Sequence, residues 1–278
     1  MFKLIKYDLK LGTMDNFLKL GILVIIVICI GGISINNING VEEYMGCNAS
    51  ILDYVCFFVG GPKNIPNDML DTYVIPVLWL ILQVMIAYIV GYYAMTDLDT
   101  YGQQILIRAG SRLKWWLSKC LWNGVMVILT YIIIYGAAFL AGIIGGADWE
   151  FKLTPDIIAS ACEITWLTGE SKTHMIILFM MPVIVSLTLS MLQMFFALLF
   201  SPIIGFIVSQ SIVFLATIFT NKILFANYGM LSHNKLACGS DIVLSEGLVI
   251  CGMIYIVSFV VGIIYFCRYD ILPKTSED

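Results

Sequence analysis

The sequence predicts an all-helical integral membrane protein, and two observations lead to this prediction. Hydrophobic residues make up 60% of the 278 residues and charged residues only 12%, with a mean hydropathy of +0.93. Because a soluble domain normally carries about a quarter charged residues, much of this surface must face lipid. The apolar runs are also continuous rather than alternating, which favours helices over a closed barrel as the structure that satisfies the backbone in lipid.

Six apolar runs are each long enough to cross a bilayer, since a hydrocarbon core of about 30 Å needs roughly 20 apolar residues. We predict a single domain over residues 1–278 with transmembrane helices over these ranges: 17–35, 73–95, 119–144, 174–200, 202–220 and 247–267. Charged residues lie only at the ends of the runs, at Lys19 and Lys119. No small-x-small cleavage pattern follows the first run, so we interpret it as a retained span and not as a signal peptide.

The distribution of Lys and Arg predicts the orientation. With the N-terminus in the cytoplasm, ten of the 15 Lys and Arg residues fall on the cytoplasmic side and five on the outer side. By the positive-inside rule we predict that both termini are cytoplasmic and that residues 96–118 form a cytoplasmic loop. The charges form no basic surface of the kind that binds nucleic acid.

Residues 1–16 are predicted to form an amphipathic helix that lies in the cytoplasmic interface. Phe2, Ile5 and Leu9 share one face at helical spacing, and three Lys residues lie on an adjacent strip. Apolar residues on the lipid side and Lys near the headgroups are typical of interfacial helices. We favour this interpretation over a frayed leader.

The loop over residues 96–118 carries charge between two very hydrophobic runs. Thr100 and Gln103 match a capping box, which predicts a short helix over 103–109 that ends at Gly110. Ser111 is a natural cap for the next helix. Three indoles are predicted at the lipid–water boundary: Trp115, Trp116 and Trp122. A rigid cytoplasmic helix of this kind can receive force from a partner. The alternative is an ordinary solvated loop.

The outer segments are less informative. Thr154 can cap a helix, Pro155 suits its first position and Gly169 its end, so we predict a helix on the outer membrane face. Residues 221–245 are polar and show no clear pattern. The turn at Ser201 and Pro202 is so short that the fourth and fifth runs must be antiparallel neighbours.

The outer side holds four of the eight cysteines, at Cys47, Cys56, Cys162 and Cys238. Four cysteines allow three pairings, so the sequence leaves the connectivity open. The cell surface permits disulfides without requiring them. Our candidate pair is Cys47 and Cys56.

Polar residues inside the predicted spans have two interpretations. They either form hydrogen bonds between helices or line a mildly polar path for an amphiphilic substrate. The residues are Gln83, Ser186, Ser190, Gln193, Gln210 and Thr217.

Catalytic chemistry and ion coupling find little support in this sequence. No acid, His or Lys lies in the middle of a span, where ion-coupled transporters place them, so energy for transport must come from a partner. We find no H-E-x-x-H motif, metal-ligand cluster or Ser–His–acid arrangement, and we predict no metal site. His174 and His233 are predicted to be surface residues on the outer side.

Three stretches resemble ABC-2-type transporter permeases, especially those of bacterial peptide or bacteriocin export or immunity. They are KLIKYDLKLG (3–12), DLDTYGQQILIRAGSRLKWWLSK (97–119) and FSPIIGF (200–206). The resemblance implies an ABC-2, type V exporter-like permease fold with six spans, an N-terminal elbow helix and a coupling helix in the first cytoplasmic loop. The residues it places against a separate ATPase are Asp99, Tyr101, Gln103, Gln104, Arg108 and Arg112.

The same resemblance implies the expected function. The chain would be the permease subunit of an ATP-driven exporter in the bacterial plasma membrane, moving an amphiphilic peptide, bacteriocin or drug-like molecule. It would pair with a second permease copy or a sister permease and with an ABC ATPase dimer, which would bind the ATP and Mg²⁺. This chain would hold no cofactor and no enzyme activity. The alternatives are a resistance or sensing subunit that exports no cargo and, less favoured, an intramembrane enzyme.

Overall fold

A computed structural model describes residues 2–62, 74–98, 111–164, 172–235 and 241–268. The secondary-structure elements in these ranges are helices. Ser50 and Asp148 also form an isolated β-bridge, which belongs to no strand. The helices are α1 (Phe2–Asp15), α2 (Phe17–Met45), α3 (Ile51–Val59), α4 (Val77–Gly91), α5 (Tyr93–Asp97), α6 (Arg112–Gly145), α7 (Pro155–Ile157), α8 (Lys172–Leu199), α9 (Pro202–Ile218) and α10 (Leu244–Arg268). A π-helical turn (Ile158–Cys162) continues α7, and two 3₁₀ turns (Phe225–Gly229 and Leu231–His233) follow α9.

Five stretches of helix in the described ranges are long and apolar enough to cross a membrane: α2, α4 with α5, α6, residues Ile176–Leu199 of α8, and α10. The prediction of an all-helical integral membrane protein is therefore confirmed. The helix α9 is apolar but has only 17 residues.

Two predicted spans extend much further in the structure than in the sequence prediction. The helix α2 runs to Met45 rather than to residue 35, because Ile38 in the added turns is fully buried against Tyr54 and Ala141. Gly46, at φ 67°, then ends the helix in the left-handed conformation that glycine adopts without strain. The helix α6 begins at Arg112 rather than at residue 119, and the Ser111 side chain caps it by accepting from the Lys114 amide at 3.4 Å, as predicted.

Contacts between distant residues define two ends of the helix bundle. At the end we call the base, α1 and α5 meet the start of α6, and the Arg112 guanidinium donates to the Cys267 carbonyl at the end of α10 at 2.9 Å. At the opposite end, which we call the cap, the Ile51 amide donates to the Asp148 carbonyl at 3.2 Å. Leu98 and Ser111, the described residues on either side of 99–110, therefore both lie at the base.

The helix α9 runs from the base to the cap, antiparallel to α8. It begins directly after α8, where the Ser201 hydroxyl accepts from the Ile204 amide at 3.3 Å, in line with the predicted Ser–Pro turn. The 3₁₀ turns after α9 reach the cap, because the Ser232 amide donates to the Gly60 carbonyl at 2.9 Å. Gly205 allows α9 to lie against the α8 backbone, since a Cβ there would be 2.5 Å from the Gln193 carbonyl oxygen.

The cap contains a helix that the sequence prediction missed. Ser50 and Asp53 form a capping box at the start of α3, and the helix is almost completely buried. The Asp53 carboxylate accepts from the Ser50 and Thr154 amides, both at 2.8 Å, and so holds α7 against α3. Burial raises the pKa of Asp53, and the two amide bonds oppose this shift.

The predicted outer helix that starts at Pro155 is shorter than expected. It reverses after Cys162, because Glu163 adopts a left-handed φ of 54° and the Ile164 amide turns back to the Ile158 carbonyl. This reversal buries Ile164 in the core, a tertiary contact that helix signals in the sequence cannot reveal. Residues 165–171, with the predicted stop at Gly169, lie outside the described ranges.

Candidate functional site

A buried lysine at the base joins three helices. Lys119 of α6 is fully buried, and its Nζ atom lies 2.7 Å from Asp8 Oδ1 of α1 and 2.6 Å from Asp97 Oδ2 of α5. Both aspartates are also buried, at 1% and 5% exposure. Charged groups are almost never buried unless they are paired, and here one ammonium group faces two carboxylates.

Hydrogen bonds fix the Asp8 carboxylate. The Ser118 hydroxyl donates to Oδ2, and the Tyr93 hydroxyl donates to Oδ1 at 3.2 Å. Asp8 therefore receives bonds from α5 and α6 in addition to the Lys119 ion pair. A carboxylate with this many donors is held in one orientation, because each lost bond would leave a buried polar group unpaired.

Aromatic rings enclose the ammonium group of Lys119. Its Nζ atom lies 4.4 Å from the centroid of the Tyr93 ring and 5.2 Å from that of the Trp115 ring. The Tyr93 ring in turn packs on Trp122, with centroids 4.0 Å apart. These rings exclude water and add cation–π attraction, which is larger for a desolvated cation than for an exposed one.

Close packing of α1 brings Asp8 to this site. Gly12, one turn after Asp8, lies against the Trp122 and Tyr93 rings, where no Cβ would fit. Asn16 is buried one turn further on, and its side chain donates to the Gly12 carbonyl at 2.8 Å. The face of α1 directed at the bundle thus contains Asp8 and Gly12, and Asn16, between α1 and α2, continues it.

The structure changes two expectations at the base. Lys119, a charge that the sequence places at the end of a predicted span on the cytoplasmic side, is buried and paired. Trp115, Trp116 and Trp122 were expected at the lipid–water boundary, but each is only 1% exposed within the protein. The reason is that α1, α5 and α10 cover the start of α6; Trp115, for example, stacks on Phe266 with centroids 4.6 Å apart.

The predicted ATPase contacts are mostly untested by the structure. Asp99, Tyr101, Gln103, Gln104 and Arg108 lie outside the described residues. Arg112 is described, and it binds the α10 carbonyl within the chain.

The predicted polar path consists largely of contacts between and within helices. Ser186 donates to Gln83 Oε1 at 3.1 Å, and the Tyr131 hydroxyl lies 2.8 Å from the Ser186 hydroxyl and donates to the Pro182 carbonyl at 2.9 Å. Gln193 donates to the Ala87 carbonyl at 3.1 Å.

Of the other three residues of that set, two are buried and one is not. Ser190 and Thr217 are buried and donate to carbonyls of their own helices, those of Leu187 and Phe214. Gln210 is half-buried and reaches an open groove on α9. The space left among the buried residues is about 10 Å³, which is roughly the room of one water molecule.

Two predictions for the cap also change. Cys47 and Cys56 are both free thiols, and Cys56 lines a cavity together with Cys162. His233 is buried rather than exposed, with Nδ1 2.7 Å from Asn227 Oδ1, while the side chain of His174 is not described. Burial lowers the pKa of His233 to about 4.

In the described ranges, no group of three His, Cys, Asp or Glu side chains could hold a metal ion.

Comparison with known proteins identifies a family for this chain. No curated protein and no solved structure is similar to the chain. The sequence pattern of a family described as proteins of unknown function, DUF2705, matches residues 22–272, which include Asp97 and Lys119. The chain therefore belongs to the DUF2705 family.

Proposed function

We propose that this chain is the membrane subunit of an ATP-driven ABC exporter for an amphiphilic substrate. The observation that supports this proposal most is the anchoring of the two described positions beside residues 99–110. Asp97, on one side, has its carboxylate bound to the buried Lys119, and Ser111, on the other side, caps α6. A force that reaches either position can be transmitted to the helices.

The Lys119 cluster provides the route for this force. A push on residues 99–110 would act on Asp97, and through the Lys119 ammonium on α6 and on Asp8 of α1. If one of these elements moved alone, it would leave a buried charge unpaired, which costs about 3–5 kcal/mol. The three elements should therefore move together when a partner ATPase binds and hydrolyses ATP with Mg²⁺.

We infer six spans, with α9 as the sixth. Its 17 residues cover about 26 Å at 1.5 Å per residue, near the lower limit for a bilayer. Because α9 joins the base to the cap, six spans leave both termini on one side. The excess of Lys and Arg favours the cytoplasm for that side, so the base would face the cytoplasm of a bacterial cell.

Gln210 indicates where an amphiphilic molecule could bind. It lies on α9 in an open groove with Ser211, Phe206 and Phe214, so polar and aromatic groups alternate there. The five other polar residues of the predicted path are buried in the packed bundle. We therefore place the substrate path, which would be completed by a second permease, along α9.

Co-purification tests the partner. Full-length tagged protein extracted from its native membrane in mild detergent should retain an ABC ATPase, and replacement of residues 103–108 by Gly and Ser should abolish this retention. Glu150→Ala with Lys152→Ala removes an exposed ion pair at the cap and should have no effect. Absence of an ATPase, or equal retention by both variants, would refute the proposal.

The second candidate function is a resistance or sensing subunit that exports no cargo. The compact polar core favours it, because the cavity among the buried polar residues of one copy is too small for a substrate. A flux assay in vesicles containing the chain and its ATPase separates the two. ATP-dependent movement of a labelled amphiphilic peptide supports export, whereas ATPase binding without any flux supports sensing. Turnover in the absence of an ATPase would instead indicate an enzyme.

A further inference from the structure

A pair of cysteines at the cap brings two distant parts of the chain together. Cys56 lies on α3 and is fully buried, whereas Cys162 ends the π-helical turn after α7 and is half-exposed. Both residues line the same cavity, and the Cys162 side chain interacts with the Cys56 thiol. We propose that Cys56 and Cys162 are a dithiol that forms a reversible disulfide between α3 and the α7 turn.

The surrounding structure holds the two thiols together. Asp53, one turn before Cys56, accepts from the Thr154 amide and fixes the start of α7 against α3. The reversal at Glu163 then brings Ile164 back over α3, where its side chain reaches the position that a Cβ on Gly60 would occupy. Cys162 is therefore presented to Cys56 from a segment that is bound on both sides, as a disulfide with its narrow geometry requires.

An apolar cavity gives an oxidant access to the pair. It has a volume of about 260 Å³ and is partly open, and both thiols line it together with Phe57, Trp79 and Ile75. Cys162 is the accessible thiol, because Cys56 has no exposed surface. A small disulfide molecule can thus reach Cys162 first.

The exchange proceeds in two steps that conserve atoms and electrons. The Cys162 thiolate attacks a small-molecule disulfide RSSR, which forms a mixed disulfide and releases one RSH after protonation. The Cys56 thiolate then attacks the Cys162 sulfur, which forms the Cys56–Cys162 bond and releases the second RSH. Both cysteines are oxidised and the RSSR is reduced to two thiols.

The second step should depend on pH. In the reduced protein, the Cys162 thiol and burial both raise the pKa of Cys56 well above its ordinary value. Burial still acts on Cys56 once Cys162 is in the mixed disulfide. Little Cys56 thiolate is present at neutral pH, so closure of the bond should become faster as the pH rises.

The cellular setting rests on the proposed orientation, which places the cap outside the cytoplasm. Disulfides form and persist there, whereas cytoplasmic thiol systems keep cysteines reduced. The bond itself needs only the folded chain and RSSR, so its formation can be tested without any ATPase.

The test uses purified full-length protein in detergent, reduced and then treated with oxidised glutathione. We expect a protease-derived peptide pair linking Cys56 to Cys162, lighter by two hydrogens and separated again by dithiothreitol. Cys162→Ala should lose this pair, and Cys47→Ala should keep it. Because Cys162 is half-exposed, its replacement should not disturb folding, which a matched thermal midpoint would verify.

A link between Cys47 and Cys56, or no link at all in the wild type, would overturn the proposal. Neither result bears on the ATPase, so failure here is distinct from failure of the proposed function. Protein alkylated in acid directly from cells should contain the bond, and fully reduced thiols there would overturn its cellular formation.

Discussion

The base and the cap are held together by different kinds of contact. At the base, one charged atom, Lys119 Nζ, binds carboxylates from two other helices. At the cap, the Asp53 carboxylate accepts from backbone amides, and the neutral His233 and Asn227 side chains bind each other. The base depends on charge pairing between elements, whereas the cap depends on side chains that satisfy backbone groups or each other.

This difference predicts how each end responds to perturbation. Removing the Lys119 charge leaves the carboxylates of α1 and α5 buried without their ammonium partner. The loss of folding stability should therefore be large and should affect α1, α5 and α6 together. The cap should respond to protonation of a buried neutral group instead. Three experiments test this contrast, from the largest expected effect to the smallest.

Lys119→Met should have the largest effect. The substitution removes the only ammonium group that contacts both Asp8 and Asp97 in the described structure, so two carboxylates stay buried without their partner. We expect a loss of about 3–5 kcal/mol in unfolding free energy, measured by thermal or denaturant unfolding in detergent.

A triple variant separates charge from packing. Adding Asp8→Asn and Asp97→Asn to Lys119→Met removes the uncompensated charges and keeps the side-chain volumes close to the original. Most of the lost stability should return, since a buried ion pair can be replaced by neutral groups at little cost. If Lys119→Met alone is as stable as the wild type, the base is not held by charge pairing.

Acid should weaken the cap through His233. Burial lowers the pKa of His233 from 6.5 to about 4, so the folded state disfavours the protonated form. Neutral His233 therefore contributes fully to the unfolding free energy above pH 6.5. This contribution is lost as the pH falls toward 4, and the total loss is about 3 kcal/mol.

The comparison of wild type with His233→Gln isolates this effect, since glutamine can still donate to Asn227 but does not titrate. The difference in unfolding free energy between the two proteins should change between pH 6.5 and 4 and stay constant above pH 7. A pH-independent difference would show that His233 is not buried in the neutral form.

Two glycine substitutions test the close packing of α1 at the base. A Cβ on Gly12 would lie 2.7 Å from Trp122 Cε2 and 2.8 Å from Tyr93 Cζ, two buried rings that already contact each other. Gly12→Ala should therefore destabilise the protein by about 1–3 kcal/mol through overpacking.

Gly21→Ala is the matched control, because no atom lies within 4 Å of a Cβ built there in α2. It should be neutral or stabilise by about 0.5–1 kcal/mol, as alanine does in a helix interior. Equal changes in the thermal midpoint of both variants would mean that α1 does not pack on Trp122 and Tyr93.

Local signals in the sequence were good guides to helix existence and to several helix starts. Apolar run length predicted the membrane helices, and the caps at Ser111 and Ser201 act as expected, since capping depends on residues within one turn. The helix α3 could also have been found, because Ser50 and Asp53 form a capping box before an apolar run.

The candidate site could not be found in the same way. Asp8, Asp97 and Lys119 are separated by up to 111 residues, and each taken alone is an ordinary charge outside or at the end of an apolar run. Only the spacing of Asp8, Gly12 and Asn16 indicates a second, inward face on and just after α1. The ATPase contacts over residues 99–110 remain predictions.

The sequence by itself determined a helical membrane protein, because hydrophobic run length and low charge depend only on composition along the chain. The tertiary structure decided which charges are buried, which indoles leave the surface, and which cysteine meets Cys56. These outcomes depend on contacts between residues far apart in the chain, and such contacts follow from how the helices pack and not from any local pattern.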